Sequence, residues 1–109
     1  MRLPTLAVLA SVVPIVAADY MLVLTSCLNG RCGSQGWWTT VEDTYWVDAN
    51  EGCRDPDVPS MWSLCMDWGN QRGHFFFEGQ PKRCIRKVSE GWAEYGMTSS
   101  NWDEVPCTW

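Results

Sequence analysis

Apolar positions fall first into one long run and then into short, alternating stretches. Leu3 to Ala18 is apolar apart from Pro4, Thr5, Ser11 and Pro14; Arg2 precedes it, and it ends Val16-Ala17-Ala18 before Asp19. A basic start, a short apolar centre and small residues before a polar one mark a secretory signal peptide, with cleavage expected after Ala18. Pro14 and the shortness of the run argue against a membrane anchor, which needs about 20 apolar residues. Residues 1–18 are therefore expected to be removed, leaving one secreted domain, 19–109, with no membrane attachment.

Beyond the leader the pattern is that of strands and turns. Tyr20 to Thr25 is rich in strand formers, and Gly33 to Gly36 reads as a loop. Trp37 to Val41 and Thr44 to Val47 are two β-prone pieces split by Glu42-Asp43, as in a hairpin. Asp48 to Pro59 is loop-like, broken by Gly52, Pro56 and Pro59. In Ser60 to Trp68, alternation of Trp62, Leu64, Met66 and Trp68 favours a strand, whereas Met61, Cys65 and Trp68 would share a helical face. A short helix near residues 57–66 thus stays open. His74 to Glu78 is extended, Gly79-Gln80-Pro81 is a turn, Arg83 to Val88 is another strand, and Glu104 to Trp109 closes the set. Strand signals at this spacing predict a mainly β fold, a small disulfide-rich antiparallel sandwich or barrel.

Composition narrows the class. With 109 residues, 46% hydrophobic and 19% charged, the chain is neither a disordered tail nor a multidomain enzyme. Loss of Arg2 with the leader leaves seven basic against thirteen acidic side chains, the wrong sign for a binder of double-stranded nucleic acid. All six cysteines, Cys27, Cys32, Cys53, Cys65, Cys84 and Cys107, lie in the mature part, an even count that predicts three disulfides. With no CxxC pair and a single histidine, no metal site and no cofactor are expected. Six cysteines allow fifteen pairings; in Cys27-Leu28-Asn29-Gly30-Arg31-Cys32 the Asn-Gly pair predicts a type I′ hairpin turn that would bring Cys27 opposite Cys32, the alternative being that one or both point to a distant strand. The other four cysteines are expected to join the middle of the chain to its end, Cys107 fastening a terminal strand.

Three groups could carry function. The eight tryptophans offer apolar faces on which sugar rings or bases stack. Trp37 and Trp38 are adjacent, so on a strand one of them faces out; Trp102, in a polar context, and Trp109, at the end, are likewise candidates for ligand binding. Lys82, Arg83, Arg86 and Lys87, with Arg72, could form a patch for phosphate or a uronic acid, set against a solvated strand as the plainer reading. Finally Arg72, His74, Phe76 and Glu78 share one strand face, so that Arg72, His74 and Glu78 could serve metal-free RNA cleavage, with Phe76 stacking on a base. A serine triad has no nucleophile elbow to build on.

The stretches Gly52-Cys53-Arg54-Asp55, Val58-Pro59-Ser60-Met61, Cys65-Met66-Asp67-Trp68, Arg72-Gly73-His74-Phe75 and Lys82-Arg83-Cys84 resemble small secreted cysteine-rich proteins of filamentous fungi. The resemblance implies an effector-like virulence protein acting on a host plant or on competing microbes. Some such proteins are similar in fold to ribonucleases, but the guanyl-specific pattern is not met here, because a second histidine is missing. The sequence is therefore read as a secreted, extracellular, monomeric binding protein for a host protein or a cell-wall polysaccharide, with no catalysis expected. The alternative is a small secreted hydrolase, most concretely ribonuclease-like.

Overall fold

A computed structural model describes residues 18–92 and 94–109; the expected leader, apart from Ala18, lies outside the described residues. Among the described residues eight strands follow one another: β1 (Tyr20–Leu28), β2 (Arg31–Thr39), β3 (Thr44–Asp48), β4 (Gly52–Arg54), β5 (Met61–Asp67), β6 (Arg72–Phe77), β7 (Arg83–Trp92) and β8 (Met97–Val105). They form one antiparallel sheet in the order β3-β2-β1-β8-β7-β6-β5-β4. The sheet curls into a half-barrel. Trp38 of β2 meets Phe75 of β6 edge to face at 4.6 Å, although three strands lie between them in the sheet.

Period-two alternation decides what the curled face holds. Met21 and Val23 of β1, Trp38, Val47, Leu64, Met66, Phe75, Ile85 and Trp102 all point inward and form one core with Ala49, Val58 and Met61. Phe75 and Phe77 face the core while Arg72, His74 and Phe76 face out, as the sequence pattern predicts. The ambiguous segment 60–68 is strand β5, and the short helix left open near 57–66 does not form; a single 3-10 turn, Trp68–Asn70, comes after it.

The first hairpin follows from its turn. Asn29 (φ 53°) and Gly30 (φ 78°) take the left-handed conformations of a type I′ turn. The register so fixed pairs Cys27 with Cys32, which are bridged. It also draws Gly33 to Gly36, expected as a loop, into β2 opposite Ser26 to Val23. Gly36 sits there because a Cβ would lie 2.8 Å from Met21 Sδ and 2.9 Å from Val47 Cγ2. The β2–β3 hairpin forms as expected, closed by Thr40 N–H donating to Asp43 O at 2.9 Å.

The other two bridges differ in kind. Cys53 is joined to Cys65 on the neighbouring strand, tying the edge strand β4 to β5 rather than to the end of the chain as expected. Cys107 is joined to Cys84 of β7 and does fasten the end. The last strand itself is misplaced in the sequence reading: β8 covers Met97–Val105, and residues 106–109 leave the sheet. β8 pairs with both β1 and β7, a central position that turns Ser100 and Trp102 toward the interior despite the strand's polar composition.

Candidate functional site

The curled sheet separates the tryptophans by face. Trp38 and Trp102 are 0% exposed and cannot stack on a ligand, so neither is the binding residue it was a candidate to be; Trp38 is the inward member of its adjacent pair, as strand alternation requires, and Trp37 the outward one. Each indole N–H is satisfied inside, Trp38 Nε1 donating to Asp19 Oδ2 at 3.0 Å and Trp102 Nε1 to Ser100 Oγ at 2.9 Å. Trp109 is half-buried, because the chain beyond Val105 folds back over the outer face of β6 and β7. Its ring lies 5.1 Å from the Arg72 guanidinium and 5.2 Å from that of Arg86, and its main-chain oxygen accepts a hydrogen bond from Lys82 Nζ.

That tail also occupies much of the expected basic patch. Arg72 pairs with Asp67 at 3.4 Å and Lys87 with Glu90 at 2.6 Å. Arg83 points the other way, into the half-barrel, because its register partner is the inward-facing Phe75. It makes two hydrogen bonds to Glu104, at 2.8 and 2.7 Å, lies 3.6 Å from Asp19 Oδ1, and covers the rings of Phe75 and Phe77 at 4.9 and 5.2 Å. The five cations therefore do not converge on one anion site. Burial raises the Asp19 carboxyl above its ordinary value, against the pull of the Trp38 N–H and the Arg83 charge. Burial would raise Glu104 too, but the Arg83 guanidinium and the Asp19 N–H hold it below its usual range. A cavity of about 280 Å³ opens beside this cluster, lined by Tyr45, Val58, Ser60, Phe77 and Gln80 among others.

The strand bearing the nuclease candidates delivers only part of the arrangement. Arg72, His74 and Phe76 do share the outer face of β6. Glu78 lies past the end of the strand, exposed, with its N–H bonded to Ser60 O. Burial and the charge of Lys82 lower the His74 pKa, so the nearby charge disfavours the imidazolium that an acid catalyst would need. Phe76 stacks with Trp62 at 4.8 Å.

A further set of exposed apolar residues lies on the outer face of β1, β2 and β3. Trp46 of β3 is paired with Trp37 of β2, Trp37 with Leu22 of β1, and Leu22 with Asn101 of β8. Residues paired across strands share a face, so these four make one outward row. Beside it runs a second row, Thr44, Thr39, Tyr20 and Asp103. Trp46 is 55% exposed and Tyr20 52%, while Trp37 is half-buried between its neighbours. Gln35 and Asp48, paired with each other, complete the rim. From Trp46 to Leu22 the row spans two strand spacings, about 10 Å.

Of this platform, sequence reasoning found Trp37 and missed Trp46, Leu22 and Tyr20. The pairing of Trp46 with Trp37 was recoverable from the short turn at residues 40–43, which fixes the register of the two strands. It also missed Trp62, 56% exposed, and Trp92, 88% exposed. All six cysteines are oxidised, which leaves no thiolate for metal or nucleophilic chemistry. No helix of the described residues is long and apolar enough to cross a membrane. No family model matches this chain, and neither the curated proteins nor the solved structures hold a significant match to it.

Proposed function

We propose that the mature chain is a secreted, effector-like binding protein whose outer β3-β2-β1 face recognises a neutral cell-wall glycan. The observation that carries this reading is the row Trp46-Trp37-Leu22 with Tyr20 alongside, an apolar strip the length of a disaccharide. Aromatic faces accept the C–H faces of pyranose rings, and the rim of Asn101, Asp103, Thr39, Thr44, Gln35 and Asp48 supplies partners for sugar hydroxyls. Two carboxylates in that rim and a formal charge of −5 for the chain disfavour uronic acids and RNA. A rigid sheet carrying the aromatic groups needs little ordering when it binds.

Intrinsic fluorescence of the oxidised protein, titrated with glucan and chitin oligomers, oligogalacturonate and short RNA, tests the reading. A saturable change with one neutral oligosaccharide and none with the anions is expected. Saturation by the anions alone would reject it. A protein partner is the second reading, favoured by the β7–β8 hairpin, whose end presents Trp92 and Tyr95, 88% and 94% exposed. In that case the oligosaccharides give no change and substitution of Trp92 abolishes partner binding.

A further inference from the structure

The interior cluster at the mouth of the half-barrel is short of one positive charge. Asp19 and Glu104 contribute two carboxylates, and Arg83 is the guanidinium that meets both. Glu42 lines the same cavity, as does the neutral ring of Tyr45. The main-chain nitrogen of Asp19 lies 3.0 Å from Glu104 Oε1, and Asp19 O accepts a hydrogen bond from Glu104 N at 3.2 Å, so this nitrogen is fixed against the carboxylate. Ala18, on the other side of that nitrogen, is exposed and precedes the first strand.

We propose that cleavage of the Ala18–Asp19 bond is a maturation step that completes the fold. Hydrolysis adds water across the peptide bond, leaving a carboxylate on Ala18 and an α-ammonium on Asp19. The amide N–H that donated to Glu104 becomes a cation at the same place, and the cluster then holds two positive and two negative charges. A charge-assisted hydrogen bond in a partly buried site is stronger than its neutral counterpart. The protein starting at Asp19 is therefore more stable than any form in which that nitrogen remains an amide.

Cys27 permits the test, because peptides 19–26 with and without an Nα-acetyl group can be ligated to residues 27–109 and refolded with all three bridges. Acetylation keeps the N–H donor and removes only the charge. The α-amino group of an unfolded chain titrates at about 7.7–8.0, and pairing with Glu104 raises that value in the folded state. The added stability is thus fully present below about pH 7.7 and is lost as pH rises through the higher folded value. At pH 6 the free-amine form is expected to melt on the order of 4–8 °C above the acetylated form, with the gap closing by about pH 10. A third form that retains Ala18 should melt with the acetylated one. Equal melting temperatures of the free and acetylated forms at pH 6, or a gap unchanged by pH, would overturn the proposal.

Discussion

Replacing Arg83 by Met isolates what the interior ion cluster contributes. Met preserves much of the aliphatic volume over Phe75 and Phe77, whose rings lie 4.9 and 5.2 Å from the guanidinium. What it removes is the cation that meets Glu104 at 2.7 Å and Asp19 at 3.6 Å. The three side chains are only 20%, 19% and 7% exposed, so solvent only partly screens the two carboxylates left facing each other. Removing one partner of a buried pair costs about 3–5 kcal/mol, and the lower end suits a cluster at a cavity mouth. About 3 kcal/mol corresponds to a fall in Tm of roughly 12–24 °C for a domain of this size.

The pH dependence identifies the cause. In the parent, Glu104 is held below its ordinary pKa, which contributes stability above the unfolded value that is lost as pH falls through the folded one. In the variant the Asp19 main-chain nitrogen is, among the described residues, the one partner left against Glu104, and burial and mutual repulsion raise both carboxyls relative to the parent, so the folded state is favoured by their protonation and destabilised as pH rises through their folded values. The penalty measured by thermal melts should therefore be large at pH 7 and shrink toward pH 4. A variant as stable as the parent at pH 7, or one whose deficit is the same at both pH values, would refute the electrostatic account and leave Arg83 as a packing residue.

Two further changes probe the frame. Gly36→Ala places a methyl against Met21 Sδ and Val47 Cγ2, both in the core, and should cost about 1–3 kcal/mol in denaturant melts, whereas an open strand position would gain from the same change. Replacing Cys84 and Cys107 together by Ala opens a loop with a sequence separation of 23 and should cost about 3 kcal/mol, against about 2 kcal/mol for the Cys27–Cys32 bridge with its separation of 5. The first of these losses should also free Trp109 from Arg72 and Arg86, seen as a shift in its fluorescence.

The sheet was legible wherever a local signal fixed it. Asn29-Gly30 set the first hairpin and its disulfide, and alternation in His74 to Glu78 placed Phe75 and Phe77 inside. What misled was composition standing in for position. Trp102 sits among Ser, Asn and Asp, yet β8 lies between β1 and β7, so Ser100 and Trp102 of that polar strand turn into the interior. Gly33 to Gly36 looks like a loop because the packing that requires Gly36 comes from Met21 and Val47, which are remote in sequence. The basic run from Lys82 to Lys87 looks like a patch, but alternation along β7 sends Arg83 inward and Arg86 outward, and a tail whose path has no local signature covers the outward side. The aromatic platform was half visible: its members are ordinary strand residues until the register aligns them.

The central claim rests on Trp46, and isothermal titration of the parent, Trp46→Ala and Trp62→Ala with the responding neutral oligosaccharide tests it most directly. Trp46 and Trp62 are equally exposed, at 55% and 56%, so truncating either should leave the melting temperature nearly unchanged. Only Trp46 belongs to the row with Trp37 and Leu22. The account predicts that Trp46→Ala weakens binding at least tenfold, about 1.4 kcal/mol, while Trp62→Ala binds like the parent. Full affinity in Trp46→Ala, or its loss in Trp62→Ala alone, would contradict the assignment of the β3-β2-β1 face as the glycan-binding surface.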